Sequence, residues 1–282
     1  MMIFDRARTT IDQRIHELEL EEYFDFQDSN LETSFTNFLI DNNYQKNVNF
    51  IRHLFNLQTD HNTRQQLDFT FPDYNLAFEI NDTAGHNIKF KDSNYHINKT
   101  KMATDQHNIR LIHLWEWELN NDKIQSWILH VLNQSKIQVN MSECFIRYIT
   151  KKEQISFLNQ YSLTQYQTTD VCLGFYYNNE LIQVINFDLI QSHLMLNICT
   201  KFNYNIIEGT KDIIQYYLQN SPYNHILAFC NLDKFTGKSY EELGFQLLDY
   251  QAPSIISELP NESSEYKQLY NCGTNIYVMF KV

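Results

Sequence analysis

The chain has 282 residues, which is long for one average domain and suits two. Six glycines and four prolines make about 3.5% of the residues, against about 12% in average proteins. Neither a G-x-G-x-x-G nor a Walker lysine motif is present, which excludes nucleotide folds built on a glycine-rich phosphate loop. The 22 basic and 34 acidic side chains give a net charge of −12. This charge excludes a passive nucleic-acid coat, so contact with phosphate requires a local basic patch or a metal ion.

Cysteine usage and hydropathy indicate a cytoplasmic protein. All five cysteines lie in the second half and form no C-x-x-C pair, so we expect buried free thiols in a reducing compartment. The first residues lack the apolar core of a signal peptide, and no stretch approaches the ~18 apolar residues of a membrane span. We therefore expect no contact with a membrane.

The chain opens with two predicted helices. Residues 9–24 carry apolar side chains at helical spacing and predict an amphipathic helix within an N-terminal extension, residues 1–30. A second helix is predicted after the capping cluster Asp28-Ser29-Asn30. Glu32 lies in its first turn, off the apolar stripe. That stripe consists of Leu31, Phe35, Phe38 and Leu39.

After a short predicted strand at residues 48–54, the segment 66–81 predicts a β-hairpin. Apolar and polar residues alternate on both sides of the turn Pro72-Asp73-Tyr74-Asn75. With that tetrapeptide as the loop, Asp68 faces Glu79, and opposed Cβ atoms lie ~4.5–5.5 Å apart. Two like charges at this distance repel, so a compensating cation is expected. The alternating apolar residues are Leu67, Phe69, Phe71, Leu76, Phe78 and Ile80.

The hairpin therefore predicts a metal site. Carboxylates on facing strands, the backbone carbonyl of Ile80 and the side chain of Asn81 are the oxygen ligands that Mg²⁺ prefers. His86, seven residues after Glu79, could act as a general acid or base near neutral pH. The alternative is a polar, solvated hairpin face.

The rest of the first half predicts a crossover unit. A helix is expected at residues 93–107, a buried strand at 109–115 that is parallel to the hairpin's last strand, and a helix at 123–134. Residues 85–113 hold five basic and two acidic side chains. This excess of positive charge indicates a patch that binds the phosphate groups of DNA. A solvated helix surface is the alternative. The residues of the predicted patch are Lys89, Lys91, His96, Lys99 and Lys101.

Three ordered segments resemble one nuclease family. D-F-T-F-P-D-x-N-L-A-F-E-I-N, Y-H-I-N-K-T-K and I-R-L-I-H-L-W-E are similar to the very-short-patch-repair-like branch of the PD-(D/E)xK nucleases, of the phage homing-endonuclease-like type. The resemblance covers about residues 31–120. It implies a restriction-endonuclease-like α/β core at residues 31–138, Mg²⁺-dependent hydrolysis of double-stranded DNA, and the cytoplasm of a phage's host as the location.

The same resemblance implies roles for single residues. Asp68 would ligate the metal with the Ile80 carbonyl, Glu79 would hold the second acidic position, and His86 and Glu32 would be the catalytic histidine and the helical glutamate. Two positions depart from the family: Asn81 replaces the motif's lysine, and Gly85 replaces an aromatic residue. Lys99 is then expected to supply the positive charge that Asn81 cannot.

The second half, residues 139–282, predicts an α+β domain with a mixed sheet. Residues 205–211 (N-I-I-E-G-T-K) and 239–245 (S-Y-E-E-L-G-F) resemble the acetyltransferase-like (GNAT) fold, in which a loop before a helix binds pyrophosphate. Only Gly209 stands where that loop normally has two glycines, and Glu208 would repel pyrophosphate. The resemblance thus implies the fold, with acyl transfer left open.

The sequence as a whole predicts a metal-dependent endodeoxyribonuclease followed by a GNAT-like domain. Two other functions stay open: an acyl or modifying transferase whose nuclease-like half binds DNA, and a non-catalytic phage structural or interaction protein. A homodimer or a phage protein partner is compatible with each of them.

Overall fold

The structure is a computed structural model, and it describes residues 29–53, 56–58, 64–133, 136–163, 168–190, 193–259 and 262–281. The predicted helix at residues 9–24 lies outside the described residues. No helix within the described ranges is long and apolar enough to cross a membrane. All five cysteines are described and are free thiols, four of them buried, which confirms that expectation.

The first half alternates helices and strands, as its sequence predicts. Its described elements are α1 (Asn30–Asp41), β1 (Ile51–Arg52), β2 (Asn56–Gln58), β3 (Arg64–Gln66), β4 (Phe69–Phe71), β5 (Leu76–Asn81), α2 (Thr83–His86), α3 (Tyr95–His107), β6 (Arg110–Trp115) and α4 (Asp122–Leu132).

A four-stranded sheet, in the order β1-β4-β5-β6, forms the centre of this half. The hairpin β4–β5 pairs Phe69 with Phe78 and Phe71 with Leu76, which confirms the predicted register. Asn75 adopts a left-handed conformation at φ 47° after a 3₁₀ turn, and this lets the chain reverse within four residues. Strand β6 lies parallel to β5, as predicted from its apolar sequence.

Both faces of this sheet are covered. On one face, Phe35 of α1 and Trp127 of α4 belong to the same buried cluster as Phe78. On the other face, Ala103 of α3 belongs to a second buried cluster, together with Leu67, which precedes β4. The predicted alternation placed Leu67 with Phe69 and Phe71. That placement is wrong because β4 begins only at Phe69 and the chain bends at Asp68.

The second half is built around a larger sheet. Its described elements are β7 (Ile137–Asn140), β8 (Phe145–Tyr148), α5 (Lys151–Tyr161), β9 (Val171–Tyr177), β10 (Glu180–Ile190), β11 (His193–Thr200), β12 (Tyr204–Glu208), α6 (Thr210–Asn220), β13 (His225–Asn231), α7 (Lys238–Glu242), β14 (Gln246–Gln251), β15 (Ile255–Ile256), β16 (Leu269–Tyr270) and β17 (Thr274–Phe280).

The seven strands of this sheet follow the order β14-β17-β13-β11-β10-β9-β8. Neighbouring strands are antiparallel except β11 and β13, which are parallel. Phe157 of α5 packs in one buried cluster with Val184, and Ile214 of α6 packs in another with Ile185. Because Val184 and Ile185 point to opposite faces, the two helices cover opposite faces of the sheet. This is the mixed α/β architecture that the sequence predicts.

A buried lysine joins the two halves. The ammonium group of Lys234, in the loop after β13, donates to the backbone oxygen of His113 on β6. It also pairs with Oε2 of Glu118 at 2.6 Å. The backbone N–H of His113 donates to the carbonyl of Asp233 at 3.0 Å, so this loop covers the free edge of β6. An edge strand is thereby satisfied by backbone from the other half.

Replacing this lysine is expected to uncouple the halves. All three tryptophans lie in the first half, so their fluorescence reports that half, whereas far-UV circular dichroism reports both. Lys234→Met leaves the Glu118 carboxylate without its buried cation, and breaking such a pair costs about 3–5 kcal/mol. The wild-type chain should unfold in urea with coincident fluorescence and dichroism transitions, and the variant with separate ones.

Lys238→Met is the matched control, because the Lys238 side chain is 78% exposed and its loss should change stability by about 0.5 kcal/mol at most. Coincident transitions in Lys234→Met would show that the halves are held together by other contacts.

Candidate functional site

The polar cluster of the first half lies at the carboxyl ends of β5 and β6, on the face covered by α3. Glu79 is paired with His113 and Asn81 with Trp115 across these parallel strands. The apolar pair Ala77 and Leu111 precedes them on the same face. The sequence of each strand thus changes from apolar to polar where α3 packs on the sheet, and β5 is buried along its whole length.

Asp68, Glu79 and Lys99 form the centre of the cluster. The Asp68 carboxylate accepts a hydrogen bond from the backbone N–H of Ile80 at 2.8 Å. The ammonium of Lys99, reaching from α3, donates to Oε1 of Glu79. The Lys99 side chain is 4% exposed and that of Glu79 2%. In this structure the positive charge of Lys99 therefore compensates the repulsion expected between the Asp68 and Glu79 carboxylates.

The two carboxyl groups are held at unusual pKa values. Burial and the neighbouring Asp68 charge raise the pKa of Glu79 to about 8, although Lys99 opposes the shift. Burial raises the pKa of Asp68 to about 6, again against Lys99. Burial alone would lower the pKa of Lys99, but the Glu79 and Asp68 charges raise it. At neutral pH the two carboxyl groups together therefore retain close to one proton beside a charged lysine.

Glu32 binds a second internal cation. Glu32 is the third residue of α1 and forms a capping box with Ser29, which orients the Glu32 side chain. Nη2 of Arg52 donates to Oε1 of Glu32 at 2.6 Å and lies 3.1 Å from Nε2 of His53. Burial would raise the pKa of Glu32, but Arg52 and the hydrogen bonds from Ser29 lower it. The oxygen and nitrogen atoms of Glu32, His53 and Asp68 that could bind a metal ion all lie within 4.8 Å of one another. The Arg52 guanidinium lies beside this group of residues.

Three histidines pack next to the acidic pair. The ring centroid of His96 lies 5.6 Å from that of His86 and 5.2 Å from that of His113. Burial lowers the pKa of His86 to about 3 and that of His96 to about 2, so both rings are neutral at physiological pH. His113 is held by Asn81 at 3.2 Å and by Thr100 at 2.8 Å. A pKa this low makes His86 a weak base at neutral pH in this conformation, and its role as a general acid or base stays a prediction.

The structure brings some predicted site residues together and separates others. Asp68, Glu79, Lys99 and the Ile80 backbone form one cluster, with Glu32 next to Asp68. Asn81 turns away from the acidic pair towards His113. The prediction overlooked Arg52 because its partner, Glu32, is 20 residues away in sequence; a basic residue in the predicted strand 48–54 was the only local signal.

The predicted DNA-binding patch is not a continuous surface. His96 and Lys99 are buried because α3 turns the face that carries them onto the sheet. Lys89 pairs with Glu265 at 2.7 Å, and Lys91 lies over the Tyr95 ring. Lys89 and Lys101 are exposed, and Lys91 is half-buried. The assignment of His96 and Lys99 to a DNA contact is therefore wrong for this conformation.

The two parallel strands of the second half part at their carboxyl ends. β11 and β13 are paired only from Leu194–Ile226 to Leu196–Ala228, although both strands continue beyond these pairs. The chain then passes from β11 through β12 to Gly209, which begins α6 at φ +85°. Crevices at the carboxyl ends of parallel strands are common ligand sites in α/β proteins.

The first turn of α6 has polar groups without a hydrogen-bond partner among the described residues. No side chain among the described residues caps it. The hydroxyl of Thr210 is buried and has no hydrogen-bond partner within the same part of the chain. Glu208 precedes this turn, and its carboxylate accepts a hydrogen bond from Asn140 at 2.8 Å. The helix N-terminus attracts anions through its free N–H groups, whereas Glu208 opposes them.

Solved structures that resemble about half of this chain are acetyltransferases. An N-acetyltransferase from Staphylococcus aureus Mu50 is 16% identical, with 49% of this chain and 97% of that chain covered and a TM-score of 0.33. A Bacillus subtilis acetyltransferase in complex with CoA is 12% identical, with 49% and 99% covered and a TM-score of 0.37. A GNAT-family acetyltransferase from Streptococcus pneumoniae is 14% identical, with 50% and 100% covered and a TM-score of 0.35. No protein-family model and no curated protein matches the chain.

These comparisons correct the predicted enzyme class. The prediction of a metal-dependent endodeoxyribonuclease is wrong, because the solved structures that resemble the chain are acetyltransferases. No comparison shows a very-short-patch-repair-like nuclease. The GNAT-like part of the predicted fold is supported over about half of the chain, as a mixed α/β fold.

Removing the buried lysine is expected to destabilise the first half strongly. Lys99→Met leaves Asp68 and Glu79 buried without their cation, which should lower the free energy of unfolding by about 3–5 kcal/mol at pH 8. The loss should shrink at pH 5. Carboxyl groups with raised pKa values bind more protons in the folded than in the unfolded state between about pH 4 and 8, so stability falls as pH rises through that range.

Urea unfolding at both pH values measures this effect. Lys101→Met, two residues away and exposed, is the control and should cost about 0.5 kcal/mol at most. Adding Glu79→Gln to Lys99→Met should recover much of the lost stability. Equal losses in the two lysine variants would show that the ion pair contributes nothing.

Proposed function

We propose that the second half is an acyl transferase domain whose acyl donor carries a diphosphate, as a coenzyme A thioester does. The observation that supports this proposal is the parting of the parallel strands β11 and β13 after Leu196 and Ala228. From the parted end of β11 the chain leads through β12 to the N-terminus of α6, which no described side chain caps. A strand-lined crevice that ends at a helix N-terminus suits an extended ligand with an anionic group.

The start of α6 has two features that favour binding of a diphosphate. Gly209 adopts a left-handed backbone conformation, which a residue with a side chain rarely adopts. The hydroxyl of Thr210 lacks a partner, and a buried hydroxyl without a hydrogen bond is costly. A phosphate oxygen would satisfy that hydroxyl and the free N–H groups of the first turn together.

Tyr240 has suitable chemistry for the transfer step. Burial raises the pKa of the Tyr240 hydroxyl, so the phenol keeps its proton at neutral pH; Cys230 of β13 is near enough to contribute to that shift. The Tyr240 ring packs against Phe245 and Tyr277. When an acyl group moves from sulfur to a protonated nucleophile, the carbon–sulfur bond breaks, the nucleophile gives up a proton and the leaving thiolate takes one up. Tyr240 is the group we assign to pass its proton to the thiolate, and the proton that the nucleophile releases restores the phenol.

Calorimetric titration with coenzyme A tests the donor site. Thr210→Val removes the hydroxyl at nearly unchanged volume. A hydrogen bond to a charged group contributes about 1.5–3 kcal/mol, so the variant should bind coenzyme A about ten-fold more weakly or worse. Its stability in urea should not fall, because the hydroxyl has no partner in the ligand-free chain.

Thr104→Val is the control, because Thr104 is an exposed residue of α3 and its loss should leave the affinity unchanged. If neither the wild-type chain nor any variant of the second half bound coenzyme A at millimolar concentration, the acyl transferase proposal would be overturned.

A separate observation supports a second candidate function in the first half. Oε2 of Glu79 is buried and has no hydrogen-bond partner among the described residues, and the Asp68 charge acts on the same carboxyl group. An orphaned carboxylate oxygen beside a second carboxylate suits a hard cation. We infer that this half has the restriction-endonuclease-like core that its sequence resembles and binds Mg²⁺ through Asp68, Glu79 and the Ile80 carbonyl. Binding of double-stranded DNA stays a prediction.

Thermal unfolding with increasing Mg²⁺ tests the cation site. Mg²⁺ should raise the midpoint of the wild-type chain, because a ligand that binds only the folded state stabilises it. Glu79→Gln should lose this dependence, and Asp122→Asn, which removes an exposed carboxylate of α4, should keep it. If Mg²⁺ raised the midpoint equally in all three proteins, the stabilisation would come from general screening of negative charge, and the cation site would be overturned.

A further inference from the structure

One segment of the chain occupies the site at which the acyl donor is proposed to bind. It consists of β7 and the next residue, residues 137–141, and we call it the plug segment. β7 pairs in parallel with β12, Gln138 with Asn205 and Val139 with Ile206. β12 is the strand that leads from the parted end of β11 to α6. Backbone groups of β12 that a ligand could use are therefore already bonded to the chain itself.

Two side chains of the plug segment pack into the core of the second half. Val139 is fully buried and Met141 is 8% exposed. Both belong to the buried cluster that contains Cys230 of β13 and Ile214 of α6. The plug segment is therefore part of the same apolar core as the strand and helix that flank the proposed donor site.

Met141 covers the helix N-terminus itself. A Cβ atom added at Gly209 would lie 2.1 Å from the methyl carbon of Met141 and 3.0 Å from its Cβ. The methionine side chain is thus in direct contact with the backbone that begins α6. An anionic group could not approach this part of the first turn while Met141 stays there.

The plug segment is short, and its outer side is exposed. Its strand has four residues, of which Ile137 is 46% exposed and Gln138 is exposed. Two exposed hydrogen bonds hold its outer side, from Asn205 to Gln138 and from Asn140 to Glu208, each 2.8 Å long. Val139 and Met141 are its buried side chains, so opening the plug segment exposes those two side chains and the β7–β12 pairing while the main sheet stays intact.

We propose that the plug segment is an autoinhibitory element that occupies the donor site and must leave before the acyl donor binds. This inference rests on the proposed acyl transferase function. Four residues separate the end of α4 from the plug segment, and the first of them, Asn133, donates to Asn203 at 2.8 Å.

The apparent affinity for the donor then depends on how often the plug is open. If one molecule in ten is open, the apparent dissociation constant is ten-fold higher than that of the open site. Locking the plug should abolish binding, and weakening it should increase affinity up to the limit of the open site.

A reversible cross-link tests the closed state without changing the core. Gln138→Cys with Asn205→Cys places two cysteines at partner positions of adjacent strands, whose spacing of about 4.8 Å allows a disulfide. The oxidised double variant should not bind coenzyme A in calorimetry, and reduction should restore wild-type affinity. The reduced double variant and oxidised Gln138→Cys alone are the controls, the latter because Cys144 is half-buried.

Val139→Ser with Met141→Ser tests the open state. Removing both buried apolar side chains should lower the dissociation constant for coenzyme A at least ten-fold. Equal affinity of the oxidised, reduced and serine variants would overturn the plug and leave the proposed donor site intact. Absence of binding in every variant, the serine variant included, would overturn both the plug and the acyl transferase function.

Discussion

The first half of the chain depends on neutralising three carboxylates inside a sheet that is covered on both faces. Glu32, Asp68 and Glu79 lie in or next to the hydrophobic core, and each buried charge would cost several kcal/mol without a partner. Arg52 and Lys99 supply two positive charges at hydrogen-bond distance. Lys99 reaches the pair only from α3, so the need for its charge also determines which face of that helix is buried. His96 is buried with it and stays neutral.

Charge pairing of the same kind holds the two halves together. Lys234 extends from the second half to a carbonyl and a carboxylate of the first. The same loop accepts one backbone hydrogen bond from the free edge of β6, which protects that strand edge. Buried polar groups therefore join the two halves.

The plug segment lies beside the point where the chain passes from one half to the other. Four residues separate it from the end of α4, and its last residue, Met141, contacts the backbone that begins α6. Each half has its own central sheet. The proposed autoinhibition therefore takes place next to the covalent connection between the two halves.

Local patterns in the sequence determined much of the fold. Alternation around Pro72-Asp73-Tyr74-Asn75 was sufficient for the hairpin register, because side chains in a strand have a period of two and the turn length sets the pairing. The capping cluster predicted the start of α1, which begins at Asn30. Each of these features depends on residues within a few positions of one another.

Only the tertiary structure decided what the polar residues do. The sequence identified Asp68, Glu79 and Lys99 as chemically important, and it gave Lys99 two roles: a surface contact for phosphate and the positive charge that Asn81 cannot supply. The burial of Lys99 beside Glu79 excludes the surface contact in this conformation. Burial of the α3 face that carries Lys99, the pairing of Arg52 with Glu32 and the position of Met141 on Gly209 join residues 20 to 68 positions apart. Such contacts depend on how whole elements pack, and no local pattern of residues specifies them.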